Sequence, residues 1–265
     1  IPQLEFLSIL LGDEPAMAPE ERFYQRLLAM DQEEAEDLME EYFEDRTLTQ
    51  AYDEFLIPAL HLAEMDRHRN RIDAERQQFV YRTIRAIVEE LGELKIETER
   101  QAVRAAAQGE QLPAGMKEGL EEEGRAPRSL AHEFTIVCAP ARDEADELAA
   151  MMFAQVLASK DFRAEYVGTS RLAGEIINDL RTKEADVVCI SALPPVAVTH
   201  ARYLCKRIHS QLPEIDVIVG LWNVSGNLKR AAERLRCAGA REVAISFADA
   251  LAIVHRSAHR ELLRG

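Results

Sequence analysis

The feature that most constrains this chain is the alternation of short β-rich runs with longer amphipathic stretches after residue 133. The five β-rich runs are FTIVCAP (134–140), RAEYVG (163–168), ADVVCIS (185–191), IDVIVG (215–220) and REVAIS (241–246). Strands that alternate with helices in this way predict a parallel sheet with right-handed crossovers. We therefore expect an α/β fold, with a flavodoxin-like five-stranded parallel sheet of strand order 2-1-3-4-5.

This strand order also predicts where a ligand would bind. In open parallel sheets, ligands bind in a crevice at the carboxyl ends of the strands, where the strand order reverses. The reversal lies between strands one and three, so the crevice is expected between residues 139–146 and residues 191–195. We call this space the crevice.

The first part of the chain predicts an all-α four-helix bundle. Apolar residues recur at helical spacing in four stretches, and Pro58 is expected to kink the third helix or to mark a first turn. Residues 105–130 mix Gly, Pro, Ala and charged residues without a sustained period, which is typical of a linker. The predicted domains are a helical bundle (1–104), a linker (105–130) and an α/β domain (131–265).

The charge is distributed unevenly between the two parts. Residues 1–126 hold 30 acidic and 14 basic residues, whereas residues 127–265 hold 17 and 18. An acidic half argues against nucleic acid as a partner, because phosphate binding needs a basic face. The imbalance also suggests that the two halves do not share one core. No apolar run reaches the length of a membrane span. The chain begins with Ile1, so we expect it to be cut from a longer protein.

The two parts together resemble a known family. The stretch LLAMDQEEAEDLMEEYF, followed by AYDEFLIPALHLAEMD, precedes the predicted α/β domain, and Ser191-Ala192-Leu193 follows its third strand. This arrangement is similar to the cobalamin-binding modules of methionine synthase, corrinoid methyltransferase proteins and cobalamin photoreceptors. In those proteins a helical cap is paired with the same α/β domain.

The resemblance implies a cobalt-ligating motif after the first strand, D-x-H-x-x-G, and here this chain departs from the family. The matching positions hold Glu144, Asp146 and Ala149. A carboxylate is a poor substitute for imidazole on cobalt. Ala149 adds a methyl group where the nucleotide tail of cobalamin needs close approach to the backbone. We therefore expect a degenerate motif that lacks the lower axial histidine.

Two further motifs of the family are kept in part. The S-x-L motif survives as Ser191 and Leu193, while the Gly-Gly pair after strand four is reduced to Gly220. Trp222 follows and would either stack on a flat ligand or cover the end of the sheet. Ser191 would contact a ligand or cap the next helix. The acidic residues near Asp143 would bind a cation or a polar ligand, or would complement a helix dipole.

The cap segment 65–71, MDRHRNR, is densely charged where the family has an apolar turn over the corrin. Its arginines are expected to face the acidic lip of the crevice and to form a weak electrostatic latch. His61 and His68 would offer an upper cobalt ligand or would be ordinary, partly exposed histidines.

A second resemblance concerns the start of the chain. IPQLEFLSILLGDEP, followed by ERFYQRLL, resembles the stretch after the last membrane helix of autoinducer-2 exporter-like permeases, some of which carry a soluble tail. This resemblance implies that the chain is the cytosolic C-terminal region of a permease, on the cytoplasmic side of the inner membrane.

These observations predict a non-enzymatic regulatory or ligand-sensing domain, because the sequence shows no nucleophile paired with a base and no phosphate-binding loop. We expect no cofactor. The partners would be the membrane domain of the same protein, a small-molecule ligand and a second copy of the chain in a homo-oligomer. The first alternative is a genuine corrinoid-binding module that holds cobalamin. The second is a structural or oligomerisation domain with an empty crevice.

Overall fold

The computed structural model describes residues 17–108, 112, 114–123, 134–224 and 226–262. Within them the N-terminal region is helical, as predicted. Its elements are α1 (Pro19–Leu28), α2 (Gln32–Phe43), α3 (Leu48–Ala51), a π-helical turn (Tyr52–Leu56), α4 (Ile57–His68) and α5 (Ala74–Ala107). The π turn joins α3 to α4 without a break, so four helical segments pack together. The stretch 1–16, which carries most of the permease resemblance, lies outside the described residues.

Local sequence signals account for the helix starts in this region. The Asp31 side chain accepts a hydrogen bond from the backbone N–H of Glu34 (3.2 Å) and caps α2. Thr47 and Gln50 form a capping box at the start of α3, which satisfies two backbone donors that the first turn leaves unpaired. Pro58 lies in the first turn of α4, directly after the π turn, where the hydrogen-bond pattern of the helix changes.

The remaining elements form the predicted α/β fold. The strands are β1 (Thr135–Pro140), β2 (Arg163–Tyr166), β3 (Val187–Ala192), β4 (Asp216–Leu221) and β5 (Glu242–Ala244). They pair in parallel in the order β2-β1-β3-β4-β5. The helices are α6 (Ala114–Glu123), α7 (Glu144–Ser159), α8 (Ala173–Thr182), α9 (Ala197–Gln211), α10 (Leu228–Arg236) and α11 (Phe247–Leu262). The flavodoxin-like prediction is confirmed.

Two apolar cores lie on opposite faces of the sheet. The cap-side core joins side chains of the helical region, such as Tyr52, to Phe153 of α7 and Phe247 of α11. The far-side core packs α8 and α9 against the other face. The cap-side core is continuous across both halves of the chain, which differs from the expectation drawn from charge. Uneven surface charge does not restrict which buried apolar side chains meet.

A buried ionic cluster connects α5, α6 and the end of α7. The ammonium group of Lys160 lies 3.1 Å from Glu99 Oε2 and 2.5 Å from Glu123 Oε2. Lys160 is 3% exposed and Glu99 is fully buried. Helix α6 lies within the predicted linker 105–130, whose boundaries stay a prediction. No helix among the described residues combines the length and apolar character that a membrane span requires.

Asp53, from the π turn, forms a second polar link between the two halves. Its carboxylate accepts hydrogen bonds from the backbone N–H groups of Phe247 (2.6 Å) and Ala248 (3.0 Å). The helical region therefore caps the start of α11 in the α/β part. Burial raises the pKa of Asp53 to about 6, although the two N–H groups oppose the shift.

This raised pKa predicts a pH dependence of stability. The folded state binds the proton of Asp53 more firmly than the unfolded chain. The stabilisation is therefore complete below the ordinary pKa of 3.8 and is lost as pH rises through about 6. In the wild type this effect lowers the free energy of unfolding as pH rises across this window. Asp53→Asn should reduce that decrease by about 1–3 kcal/mol. Urea unfolding across this pH range tests it, with the exposed Asp37→Asn as control. An unchanged pH slope in Asp53→Asn would contradict this role for Asp53.

Candidate functional site

The first lip of the crevice is organised by a capping box at the start of α7. The Asp143 side chain accepts from the backbone N–H of Asp146, and Asp146 accepts in return from that of Asp143, both at 3.4 Å. Acidic side chains at these positions also complement the partial positive charge of the helix start. Two acidic residues of this lip, Asp143 and Asp146, therefore stabilise the start of α7.

Asp146 also ties the two lips of the crevice together. Its Oδ1 accepts a hydrogen bond from the backbone N–H of Leu193 (2.8 Å), and its Oδ2 accepts from that of Arg142 (3.0 Å). The residue is 3% exposed. Burial raises the pKa of Asp146 well above its usual range, and the nearby Asp143 adds to the shift, while these backbone N–H groups oppose it. Asp146 is therefore a buried clasp between the loops after β1 and β3.

Trp222 fills the space above β4. A Cβ atom placed on Gly220 would overlap the indole ring. Trp222 is 1% exposed, and its ring packs on Phe153 (centroids 5.7 Å apart) and edge-on to Phe247 (4.7 Å). Because the indole lies directly on the backbone of Gly220, it occupies the cap-side face of the crevice at this end of the sheet.

Ser191 lies next to this tryptophan. In the parallel register Ser191 is paired with Gly220, and alternation along β3 places its side chain on the cap-side face with Cys189. Ser191 is fully buried. Among the described residues neither its hydroxyl nor the indole N–H of Trp222 has a hydrogen-bond partner. Two unpaired buried polar groups thus belong to the cap-side face at this end of the sheet.

The other predicted site residues lie apart from this pair or contribute through the backbone. Glu144 is about half exposed, and its carboxylate lies 3.8 Å from Arg85. Ala149 is fully buried within the cap-side core. Leu193 is also buried and uses its backbone N–H to bond Asp146. The structure therefore brings together Asp146, Ser191, Leu193, Gly220 and Trp222, and places Glu144 outside the crevice.

The cap reaches this lip through Arg67, the last-turn arginine of α4. Its Nη2 lies 2.6 Å from Glu64 Oε2, 2.8 Å from Asp143 Oδ2 and 2.9 Å from His68 Nε2. Glu64 is 2% exposed and also accepts from the hydroxyl of Tyr81. The guanidinium thus lies among three groups that resemble a metal-ligand set, Glu64, His68 and Asp143. A cationic side chain already lies at the centre of the set.

The contact between Arg67 and Asp143 is the latch between cap and crevice. Loss of Arg67 leaves the buried Glu64 without its charged partner, so its cost should exceed that of a surface pair. We expect Arg67→Gln to lower the free energy of unfolding by about 1–3 kcal/mol. The exposed neighbour Arg69→Gln should change it by less than about 0.5 kcal/mol. Urea unfolding measures both changes. Equal effects of the two variants would contradict a stabilising role for Arg67 between the cap and the crevice.

With this geometry in place, the comparison with known proteins is informative. Residues 134–222, from the start of β1 to Trp222, match the family model of the B12 binding domain. The α/β part of this chain has the cobalamin-binding fold. No curated protein sequence matches the chain.

One solved structure extends the likeness of fold to the helical region. The monomethylamine corrinoid protein of Methanosarcina barkeri aligns with 90% of this chain and 97% of its own, at 11% identity and a TM-score of 0.59. A cobalamin-binding protein from Desulfitobacterium hafniense aligns with 89% of this chain and 97% of its own, at 13% identity and a TM-score of 0.40. At such identity the first likeness establishes a shared fold.

The residues of the crevice do not fit a cobalamin whose tail enters the crevice and whose cobalt is ligated from below by imidazole. The position that the resemblance assigns to the cobalt ligand holds Asp146, and both of its carboxylate oxygens already accept backbone hydrogen bonds, one of them from Leu193 across the crevice. The indole of Trp222 lies where close approach to Gly220 would be needed. The sequence indicated that the crevice is filled, because Gly220-Leu221-Trp222 stands where the family has a pair of glycines. Asp146 as a clasp had a weaker signal, the D-x-x-D spacing of a capping box.

Proposed function

We propose that this chain is a non-enzymatic sensing module that keeps the cobalamin-binding fold but has filled its nucleotide crevice. The observation that carries the proposal is the position of Trp222. A fully buried indole that packs on Gly220 and against two phenylalanines takes the volume that a cobalamin tail would need. The clasp formed by Asp146 supports the same conclusion, because it holds the two lips of the crevice together.

The proposal that the module is not an enzyme rests on the polar groups of the crevice. A serine nucleophile needs a base within hydrogen-bonding reach. The Ser191 hydroxyl has no hydrogen-bond partner among the described residues. Asp146 is buried and engaged with backbone donors, so it is badly placed to exchange protons with a substrate in solvent.

The regulatory part of the proposal rests on the latch. Arg67 links the cap to the loop that begins α7, so a ligand that prefers one arrangement of these elements would shift the population between them. Following the resemblance of residues 1–28, we propose that the module is the cytosolic tail of a permease. Its partners would then be its own membrane domain and a second copy of the chain.

The test is cobalamin retention by the purified protein. After incubation with hydroxocobalamin and gel filtration, the wild-type chain should elute without the visible absorption of a corrinoid. Asp146→His/Ala149→Gly/Trp222→Gly removes all three obstacles and should retain more corrinoid than the wild type. Asp146→His/Ala149→Gly, which keeps Trp222, is the matched control and should retain little. Retention of hydroxocobalamin by the wild-type chain would falsify the proposal.

A genuine corrinoid-binding module is the second candidate function. It is favoured by the two unpaired buried polar groups, the Ser191 hydroxyl and the indole N–H of Trp222, because buried polar groups usually have partners. A ligand that displaced the indole would meet Ser191. In this case the wild-type chain would retain hydroxocobalamin, and Ser191→Ala would weaken the complex.

A further inference from the structure

A cavity of about 500 Å³ lies on the side of the sheet opposite Trp222. It opens between the loop after β1, the loop after β2 and the first turns of α8 and α9. Two of its lining residues, Ile176 and Leu204, belong to the far-side core, whereas Trp222 belongs to the cap-side core. The cavity shares the loop after β1 with the crevice but lies against the opposite face of the sheet, and its volume is in the range of small-molecule sites.

The charge of this cavity is opposite to that of the chain as a whole. The chain carries 47 acidic and 32 basic residues, yet the charged residues that line the cavity are Arg142 and Arg171, with no carboxylate among them. Two other cavities are lined by several glutamates, and a smaller one of about 380 Å³ is lined by three arginines and a glutamate. A cationic lining in an acidic protein raises the local concentration of anions and selects for them.

Arg142 is available to such a ligand. Its Nη1 lies 3.0 Å from Nε2 of His200, and among the described residues no carboxylate pairs with it. Burial lowers the pKa of His200, and the charge of Arg142 lowers it further, so the imidazole accepts from the guanidinium as a neutral group. Arg171 lies 3.6 Å from Asp179 and is half exposed, which leaves most of its donors free to turn into the cavity.

Helix starts and hydroxyl groups add further donors. The first turn of α8 contributes Ala173 and Ile176 to the lining, and that of α9 contributes Thr199 and His200. Among the described residues no side chain caps the start of α9. The start of α8 already holds the carboxylate of Glu175, which accepts from the backbone N–H of Leu172 (2.7 Å). The uncapped start of α9, a helix of 15 residues, is therefore the helix terminus that favours added negative charge beside the two arginines.

The remaining lining is apolar or aromatic. Tyr203 is 58% exposed and Leu172 is 75% exposed, and both lie at the cavity beside Ile176 and Leu204. Large apolar side chains that are exposed at a concave site mark contact with an apolar or planar group. The cavity thus combines a cationic end with a surface that suits a ring.

We propose that this cavity binds a small organic anion, with a phosphate or carboxylate held by Arg142 and Arg171 and a planar body packed against Tyr203. This inference rests on the proposed function, because it names the class of ligand that the sensing module would bind. Arg142 directly precedes Asp143, the residue that holds Arg67 of the cap. An anion that draws Arg142 into the cavity therefore acts next to the latch.

Calorimetric titration of the wild-type chain tests the site, with AMP, adenosine, benzoate and inorganic phosphate as probes at equal ionic strength. We expect AMP to bind at least about tenfold more tightly than adenosine, because one charge-assisted contact is worth that factor. Comparison of benzoate with inorganic phosphate shows whether a carboxylate on a ring or a bare phosphate is preferred. The absence of binding by all three anions at millimolar concentration would overturn the inference, and so would equal binding of AMP and adenosine.

Variants locate the binding. Arg142→Gln and Arg171→Gln should each weaken the tightest anion by about tenfold or more. Arg202→Gln, an exposed arginine of α9 outside this cavity, should leave it unchanged. Equal affinity in Arg142→Gln and Arg202→Gln would place the anion elsewhere and refute the site. The proposed function fails separately, through retention of cobalamin, which these titrations do not measure.

Discussion

Trp222→Ala is expected to lower the free energy of unfolding by about 3–5 kcal/mol. The indole is 1% exposed and contacts two aromatic rings, Phe153 and Phe247. Its removal forfeits the transfer free energy of a large apolar side chain and leaves a cavity that close-packed neighbours fill only in part. Urea denaturation followed by circular dichroism measures the change.

The control for this prediction is Tyr203→Ala. Tyr203 is 58% exposed, so its truncation should change the free energy of unfolding by less than about 0.5 kcal/mol. Indole added to Trp222→Ala should restore part of the lost stability, because an apolar cavity of this kind binds apolar molecules of matching shape. A loss in Trp222→Ala no larger than that of the control would show that the indole does not fill the crevice.

The second large effect is expected for Lys160→Met. Methionine approximates the length of the side chain but leaves the buried carboxylates of Glu99 and Glu123 without the ammonium group that pairs with both. Breaking a buried ion pair in this way costs about 3–5 kcal/mol. Burial lowers the pKa of Lys160, but Glu99 and Glu123 together raise it above its ordinary value. The stabilisation is therefore present at neutral pH and is lost only as pH rises through that raised pKa.

Lys183→Met is a matched control, because Lys183 forms an ion pair with Glu165 at the surface. Their side chains are 32% and 48% exposed. Surface pairs contribute about 0–1 kcal/mol. Adding Glu99→Gln to Lys160→Met should recover part of the loss, since it removes one of the two buried charges. If the lysine variants at 160 and 183 had equal effects at pH 7, the cluster would not stabilise the junction of α5, α6 and α7.

Much of the fold could be predicted from the sequence because its signals are local. Apolar β-rich runs such as 185–191 alternate with amphipathic stretches, and this alternation leaves few topologies other than the observed one. The acidic first turn of α7 was one of the two alternatives for the residues near Asp143, because acidic side chains complement the dipole of a helix start. The alternative that Trp222 covers the end of the sheet also describes its place in the structure.

Contacts between distant segments could not be predicted in the same way. Asp53 caps a helix that begins 194 residues later, and no periodicity in the sequence encodes that pairing. The continuous cap-side core was missed because net charge describes surfaces and not interiors. The cavity of Arg142 and Arg171 was missed because its residues come from two loops and two helix starts that only the sheet order brings together.

The most direct test of the central claim uses the fact that Trp222 is the only tryptophan of the chain. If the indole fills the crevice, its fluorescence should be shifted to the blue relative to free tryptophan and should be nearly insensitive to iodide. Hydroxocobalamin should then reduce the emission no more than it reduces that of free tryptophan in the same cuvette. Emission like that of exposed tryptophan, or strong additional quenching by hydroxocobalamin, would contradict a crevice closed by Trp222.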